Sequence, residues 1–180
     1  MAENNSNERS KPRMLTGMFA DRESTERAYN TLHDRGYTSD DINLIMSDDT
    51  RKTHFSGEMA ETEIGTKAAE GAGKGSAIGG TIGAITGVIA ALGTSLIIPG
   101  LGLLIAGPIA AGLAGAGAGG ITGGIIGALI GSGIPEERAR LYEDGVKNGN
   151  IVMGVHPRND ADAAYIEKTW RDTKGSEVHY

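Results

Sequence analysis

The 180-residue chain has no cysteine. That absence removes disulfides, thiolate nucleophiles and cysteine-ligated zinc together, and it says little about compartment. Basic charge is also short: 17 Lys and Arg stand against 23 Asp and Glu, for a net charge of −6. The basic footprint of a nucleic-acid binder is missing, so no nucleic-acid partner is expected. Residues 1–12 are polar and mixed in charge, without the apolar core of a secretory signal. They read as a disordered tail on a chain expected to start in the cytoplasm. The largest gap is in the middle. After Lys74 no Asp, Glu, Lys or Arg occurs until Glu136, leaving residues 75–135, 61 in a row, without charge.

What fills that gap is glycine in register. Gly71, Gly75, Gly79, Gly83 and Gly87 form one run at four-residue spacing. Gly115, Gly119, Gly123, Gly127 and Gly131 form a second, and the two mirror each other about Leu101. On a helix, this spacing places each run on one stripe. A helical Gly costs about 1 kcal/mol relative to Ala. Close backbone approach would offset that cost, as in the glycine-zipper packing of membrane helices. These ten residues are the expected helix-packing and oligomerisation positions of an antiparallel helical hairpin over 71–133. Its turn falls at Pro99, Gly100 and Gly102, with a kink at Pro108 in the second arm. Gly80, Gly117, Gly120 and Gly124 lie off the stripes and offer second contact faces. The register is too strict for a flexible linker, and Ser is scarce.

The flanks read as one split domain. Residues 14–20 suit a strand and 22–35 a helix capped by Asp21 and stopped by Gly36; residues 42–47 suit a second strand. A right-handed crossover would make these two strands parallel. After the insert, Pro135 suits N1 of a helix that ends at Gly149, with Glu143 and Lys147 paired at i,i+4. Residues 151–156 suit a strand and 160–173 a helix capped by Asn159 and ended by Gly175; 176–180 suit a short last strand. The halves match at an offset of 136, through Arg22 and Arg158, Ala28 and Ala164, Tyr29 and Tyr165, Arg35 and Arg171. Two such units predict an α+β fold, a split ferredoxin-like sandwich with the glycine-zipper α-helical hairpin inserted between its second and third strands. The expected organisation is a tail at 1–12, a first half at 13–50, a linker or helix lead-in at 51–70, the hairpin at 71–133 and a second half at 134–180. The hairpin would project from one edge of the sandwich.

The pattern Gly17-x-Phe19, Ala28, Leu32, Gly36-Tyr37 and Asp41-Ile42 resembles the bacterial heat-induced general stress protein (YflT-like) family over residues 13–49, with a looser likeness in the C-terminal flank. The resemblance implies a stress-induced bacterial protein without established catalytic activity, and it carries over no catalytic residue. The insert resembles bacterial glycine-zipper membrane segments.

Motifs for chemistry fail on inspection. Gly71-Ala-Gly-Lys74-Gly75 lacks the first Gly of a P-loop, at Ala68, and the Ser or Thr after the Lys. His33, His54, His156 and His179 share no local ligand pair. Asp40, Asp41, Asp48 and Asp49 read as a turn and a strand end, without EF-hand spacing. Tyr29, Tyr165 and Trp170 read as sandwich core. The expectation is therefore no catalytic, cofactor or metal site, and no enzyme. A helix over 75–98 would be about 36 Å long, enough for a hydrocarbon core of about 30 Å. The expected function is a non-enzymatic stress-response protein at the cytoplasmic membrane. It inserts the hairpin into membrane lipid, either crossing twice or entering from one face with the tip buried, self-associates as a homo-oligomer and presents the α+β domain on the cytoplasmic face. The alternative is a cytoplasmic, soluble self-assembling structural protein whose hairpins share an apolar core. A small-molecule-binding regulatory domain is a third option, by fold analogy alone.

Overall fold

A computed structural model describes residues 13–55, 95–98, 102–115 and 124–180, with backbone only at 95–98 and 113–115. Among these residues six strands make one sheet: β1 (Leu15–Phe19), β2 (Ile42–Ser47), β3 (Ser95–Ile98), β4 (Leu103–Ala106), β5 (Ile151–Val155) and β6 (Ser176–His179). The order across the sheet is β3-β4-β2-β5-β1-β6, and every neighbouring pair is antiparallel. The fold is α+β. β1 and β2 each pair with β5, so they run in the same direction with β5 between them.

Helices cover both faces. On one face lie α1 (Arg22–Asp34), α2 (Asp48–Phe55) and α6 (Asp160–Asp172); on the other lie α3 (Pro108–Gly115), α4 (Gly124–Gly131) and α5 (Glu136–Lys147). Alternation along each strand feeds the two cores. Leu15, Phe19, Ile42, Leu44, Met46, Leu104, Met153 and Val155 pack under α1 and α6 with Trp170. Ile45, Leu103, Ile105 and Val152 point the other way and pack under α3, α4 and α5 with Tyr142. Near-continuous apolar strands such as Leu103–Ala106 are what a sheet buried on both sides requires.

The helix ends in the flanks follow capping chemistry. Asp21 accepts the Ser24 N–H at 2.7 Å, and Asn159 accepts the Asp162 N–H at 2.8 Å. These caps correct the internal match. The N-caps Asp21 and Asn159, and the C-caps Arg35 and Thr173, are each 138 positions apart rather than 136. At that spacing the buried residues Thr25, Ala28 and Leu32 coincide with Ala163, Ile166 and Trp170. The offset of 136 instead sets buried Tyr29 against exposed Tyr165, which is not core: its ring lies under the Arg35 guanidinium at 3.9 Å. At the end of α6 it is Lys174, with φ +66°, that turns the chain, while Gly175 lets it pass close to Trp170 and Phe19. Pro135 stands at the N-cap of α5 rather than N1.

The insert departs most from expectation. Ser95–Ile98 and Leu103–Ala106 are strands, not helical arms, and they form a β-hairpin that extends the sheet beyond β2. A short apolar run between Gly and Pro signals satisfies strand and helix alike by hydrophobicity, and here sheet pairing decides. Gly102, with φ +60°, is a turn residue directly before Leu103–Ala106. Pro99 and Gly100 lie outside the described residues. Pro108 opens α3 instead of kinking a longer helix. The layer of α3 and α4 folds back over the sheet, so this part does not project from its edge. Of the zipper glycines, Gly115, Gly127 and Gly131 lie in described helices. Gly71, Gly75, Gly79, Gly83, Gly87, Gly119 and Gly123 lie outside the described residues. So does the P-loop-like stretch. α2 also starts at Asp48 and seats Phe55 in the first core, so the first half runs past residue 50.

Candidate association surface

Gly107 sets the position of the second layer. Its φ is +95°, and a Cβ there would sit 2.2 Å from the Ile42 carbonyl oxygen, so only glycine lets β4 end this close to β2. Pro108 follows with a fixed φ suited to a first helical turn. Buried Asn43 in β2 accepts the Ile109 N–H at 2.8 Å through Oδ1, and its Nδ2 lies 3.4 Å from the Gly154 carbonyl. A polar residue inside the sheet thereby caps α3.

From that anchor the layer has an inner and an outer side. Ile109 and Ala110 of α3, and Ile125, Ala128 and Leu129 of α4, are buried against the sheet. Ala111 and Gly112 face outward, and Ile130 of α4 is 43% exposed. On α5, Ala139, Tyr142 and Val146 face in, while Leu141 is 47% exposed. A Cβ built at Gly112, Gly127 or Gly131 would meet no described atom within 4 Å. The close backbone contact that motivates glycine at these positions is therefore not supplied by described residues of this chain. No charged residue occurs between 102 and 135. What this surface can do chemically is exclude water against another apolar surface.

Other clusters are internally satisfied. Asp162 is ion-paired with Arg35 and accepts the Tyr37 hydroxyl at 3.0 Å. Arg158 donates to the Gly36 carbonyl at 2.7 Å and lies 4.3 Å over the Tyr37 ring. This tie between the halves raises the Tyr37 pKa, chiefly through burial. Tyr142 donates to the Glu177 carbonyl at 2.7 Å and lies 2.8 Å from the Thr16 hydroxyl; burial pushes its pKa up to about 12. Burial lowers the pKa of His156, which follows β5. Asp41 accepts from the backbone and hydroxyl of Thr38, and Asp48 is held by Arg51 and Lys52. The gap lined by Met14, Asn43, Ile109 and Leu129 does not admit a water molecule. Among the described residues no group of three His, Asp or Glu could hold a metal ion, and no helix is long and apolar enough to cross a membrane.

Sequence reasoning pointed to Gly127 and Gly131 and missed Gly112, Ile130 and Leu141. Leu141 was detectable: it stands off the Ala139, Tyr142, Val146 spacing that faces the sheet. No protein-family model, curated protein or solved structure matches this chain.

Proposed function

We propose that this chain is a non-enzymatic self-assembling protein, in which an α+β domain carries a glycine-rich apolar layer that packs against further copies. The observation that carries the reading is the face at Gly112, Gly127 and Gly131, where no described residue makes a close contact, flanked by exposed Ile130 and Leu141. Ten glycines in strict register are costly in water without close packing. We read the flanks as a split ferredoxin-like sandwich. Their connectivity, β1-α1-β2 and then β5-α6-β6, and the order β2-β5-β1-β6 support that reading. The stress-response setting rests on the resemblance of residues 13–49.

Chain length weighs against a hairpin that crosses a bilayer twice. The segment after Phe55 returns at Ser95 to the same sheet. Two helical crossings need about 40 apolar residues. The sequence between offers one uncharged stretch, residues 75–94, of 20. That same stretch favours a second reading, in which it dips into one leaflet and holds the domain at the cytoplasmic face of a membrane.

The test uses the purified full chain. Light scattering in detergent-free buffer is expected to find a discrete assembly, and Gly127→Leu with Gly131→Leu to weaken it while the circular dichroism spectrum persists. A wild-type monomer that floats with phospholipid vesicles would support the second reading instead. A monomer that ignores vesicles would overturn both.

A further inference from the structure

With no cysteine in the chain, its oxidisable sulfur lies in six methionines. Met1 and Met59 lie outside the described residues. Met46 and Met153 are fully buried in the first core. Met14 and Met18 stand on either side of Thr16 and turn toward the second core. Among the described methionines Met18 alone is half-buried; the other three are buried.

Both thioethers of that second pair are matched to glycines. A Cβ at Gly154 of β5 would come 2.8 Å from the Met14 Sδ. A Cβ at Gly145 of α5 would overlap the Met18 Sδ outright and lie 3.2 Å from its methyl carbon. Gly145 is buried inside a helix, where glycine is a poor choice by propensity. The Met18 sulfur fills the notch that the missing side chain leaves. The notch is also a joint of the fold. The Gly145 carbonyl accepts the Asn150 N–H at 2.9 Å, directly before β5 begins. Tyr142 and Val146 are buried on the same helix, and Met18 pairs with Val152 of β5. One half-buried sulfur therefore stands where β1, α5 and β5 meet.

We propose that Met18 is an oxidation-sensitive seat for α5: a peroxide converts its thioether to the sulfoxide, and the C-terminal half of the helix loses its hold on β1. In this step a lone pair of Sδ attacks one peroxide oxygen. The S–O bond forms as the O–O bond breaks. Sulfur is oxidised by two electrons and the peroxide is reduced. The departing hydroxide takes the proton from the oxygen now on sulfur and leaves as water. The product is bulkier and polar. On the α5 side the sulfur already occupies the place of a Cβ, so no room is left for the new oxygen. Either the sulfur turns outward and empties the notch, or the oxygen is forced against the helix backbone. Both weaken the contact, the first by a cavity and the second by crowding and a buried polar atom. The device belongs to the single chain, so it holds for a monomer and an assembly alike.

The test treats the purified full chain with hydrogen peroxide and follows each methionine by peptide mass spectrometry. Met18 is expected to oxidise at least about fivefold faster than Met14, Met46 and Met153. The melting temperature should fall by about 4 °C or more in step with Met18 sulfoxide, and recover when a methionine sulfoxide reductase removes it. Met18→Leu keeps every other methionine and should show less than half that fall. Gly145→Ala is a second arm. Its new Cβ displaces the thioether in advance, so the same oxidation should lower its melting temperature less than that of the wild type. The proposal is overturned if Met18 reacts no faster than the buried methionines. It is equally overturned if the wild-type melting temperature holds, or if it falls as far in Met18→Leu or Gly145→Ala.

Discussion

Asn43 Oδ1 and the Ile109 N–H meet at 2.8 Å across 66 positions of sequence, inside the second core. The bond joins β2 of the first half to the first turn of α3 in the insert. It replaces the capping side chain that Gly107 cannot supply. Asn43→Leu would leave the Ile109 donor buried and unpaired, and is expected to destabilise the fold by about 2 kcal/mol. Urea unfolding of the two proteins measures this.

Two glycines of the insert should respond oppositely to alanine. At Gly107 a Cβ meets the Ile42 backbone, and φ is positive. Gly107→Ala is expected to cost more than about 2 kcal/mol. At Gly127 a Cβ meets no described atom within 4 Å, and Gly127→Ala should raise the stability of the separated monomer by about 1 kcal/mol through helix propensity. The same change should weaken assembly if α4 approaches another copy closely. Denaturation below the association range, beside light scattering above it, separates these effects.

Alkaline pH should report on Tyr142. Its folded pKa lies near 12, against about 10 for a free phenol. The unfolded chain loses this proton first, so the contribution is complete below about pH 10 and is lost as pH rises toward 12. Buried Tyr29 and Tyr37 add slope of the same sign. Tyr142→Phe should shallow that decline and, by removing the bond to Glu177, cost about 1 kcal/mol at neutral pH. Phenolate absorbance and the unfolding midpoint across the range provide the readout.

Mild acid should report on His156. Burial lowers its folded pKa, so the unfolded chain takes up the proton more readily. Stability is then complete above about pH 6.5 and falls as pH drops toward the folded pKa. His156→Gln should flatten that portion of the curve in urea titrations on either side of about pH 6.5.

Legibility followed the strength of local signals. Asp21, Gly36, Asn159 and Gly149 bracket amphipathic helices, and those elements lie where caps and periodicity put them. α2 was illegible because Asp48–Phe55 is mostly polar; only Thr50 and Phe55 are buried. β3 and β4 differ from the helical expectation because runs of three or four apolar residues carry no decisive period, and the glycine spacing around them argues for helix. The identities at offset 136 do not coincide with the caps, which align the inward faces at 138. In the candidate surface, Gly127 and Gly131 were legible from spacing. Ile130 and Leu141 required knowledge of which side of each helix meets the sheet.

Because β3 and β4 belong to the sheet and α3 and α4 roof it, the glycine-rich stretch is not cargo that can be trimmed to leave a working miniature. Cutting out residues 71–133 would wet Ile45 and Val152 and leave Tyr142 facing a half-stripped core. A shortened chain of that kind should accumulate as aggregate, and any study of the flanks must keep residues 102–115 and 124–131 in place.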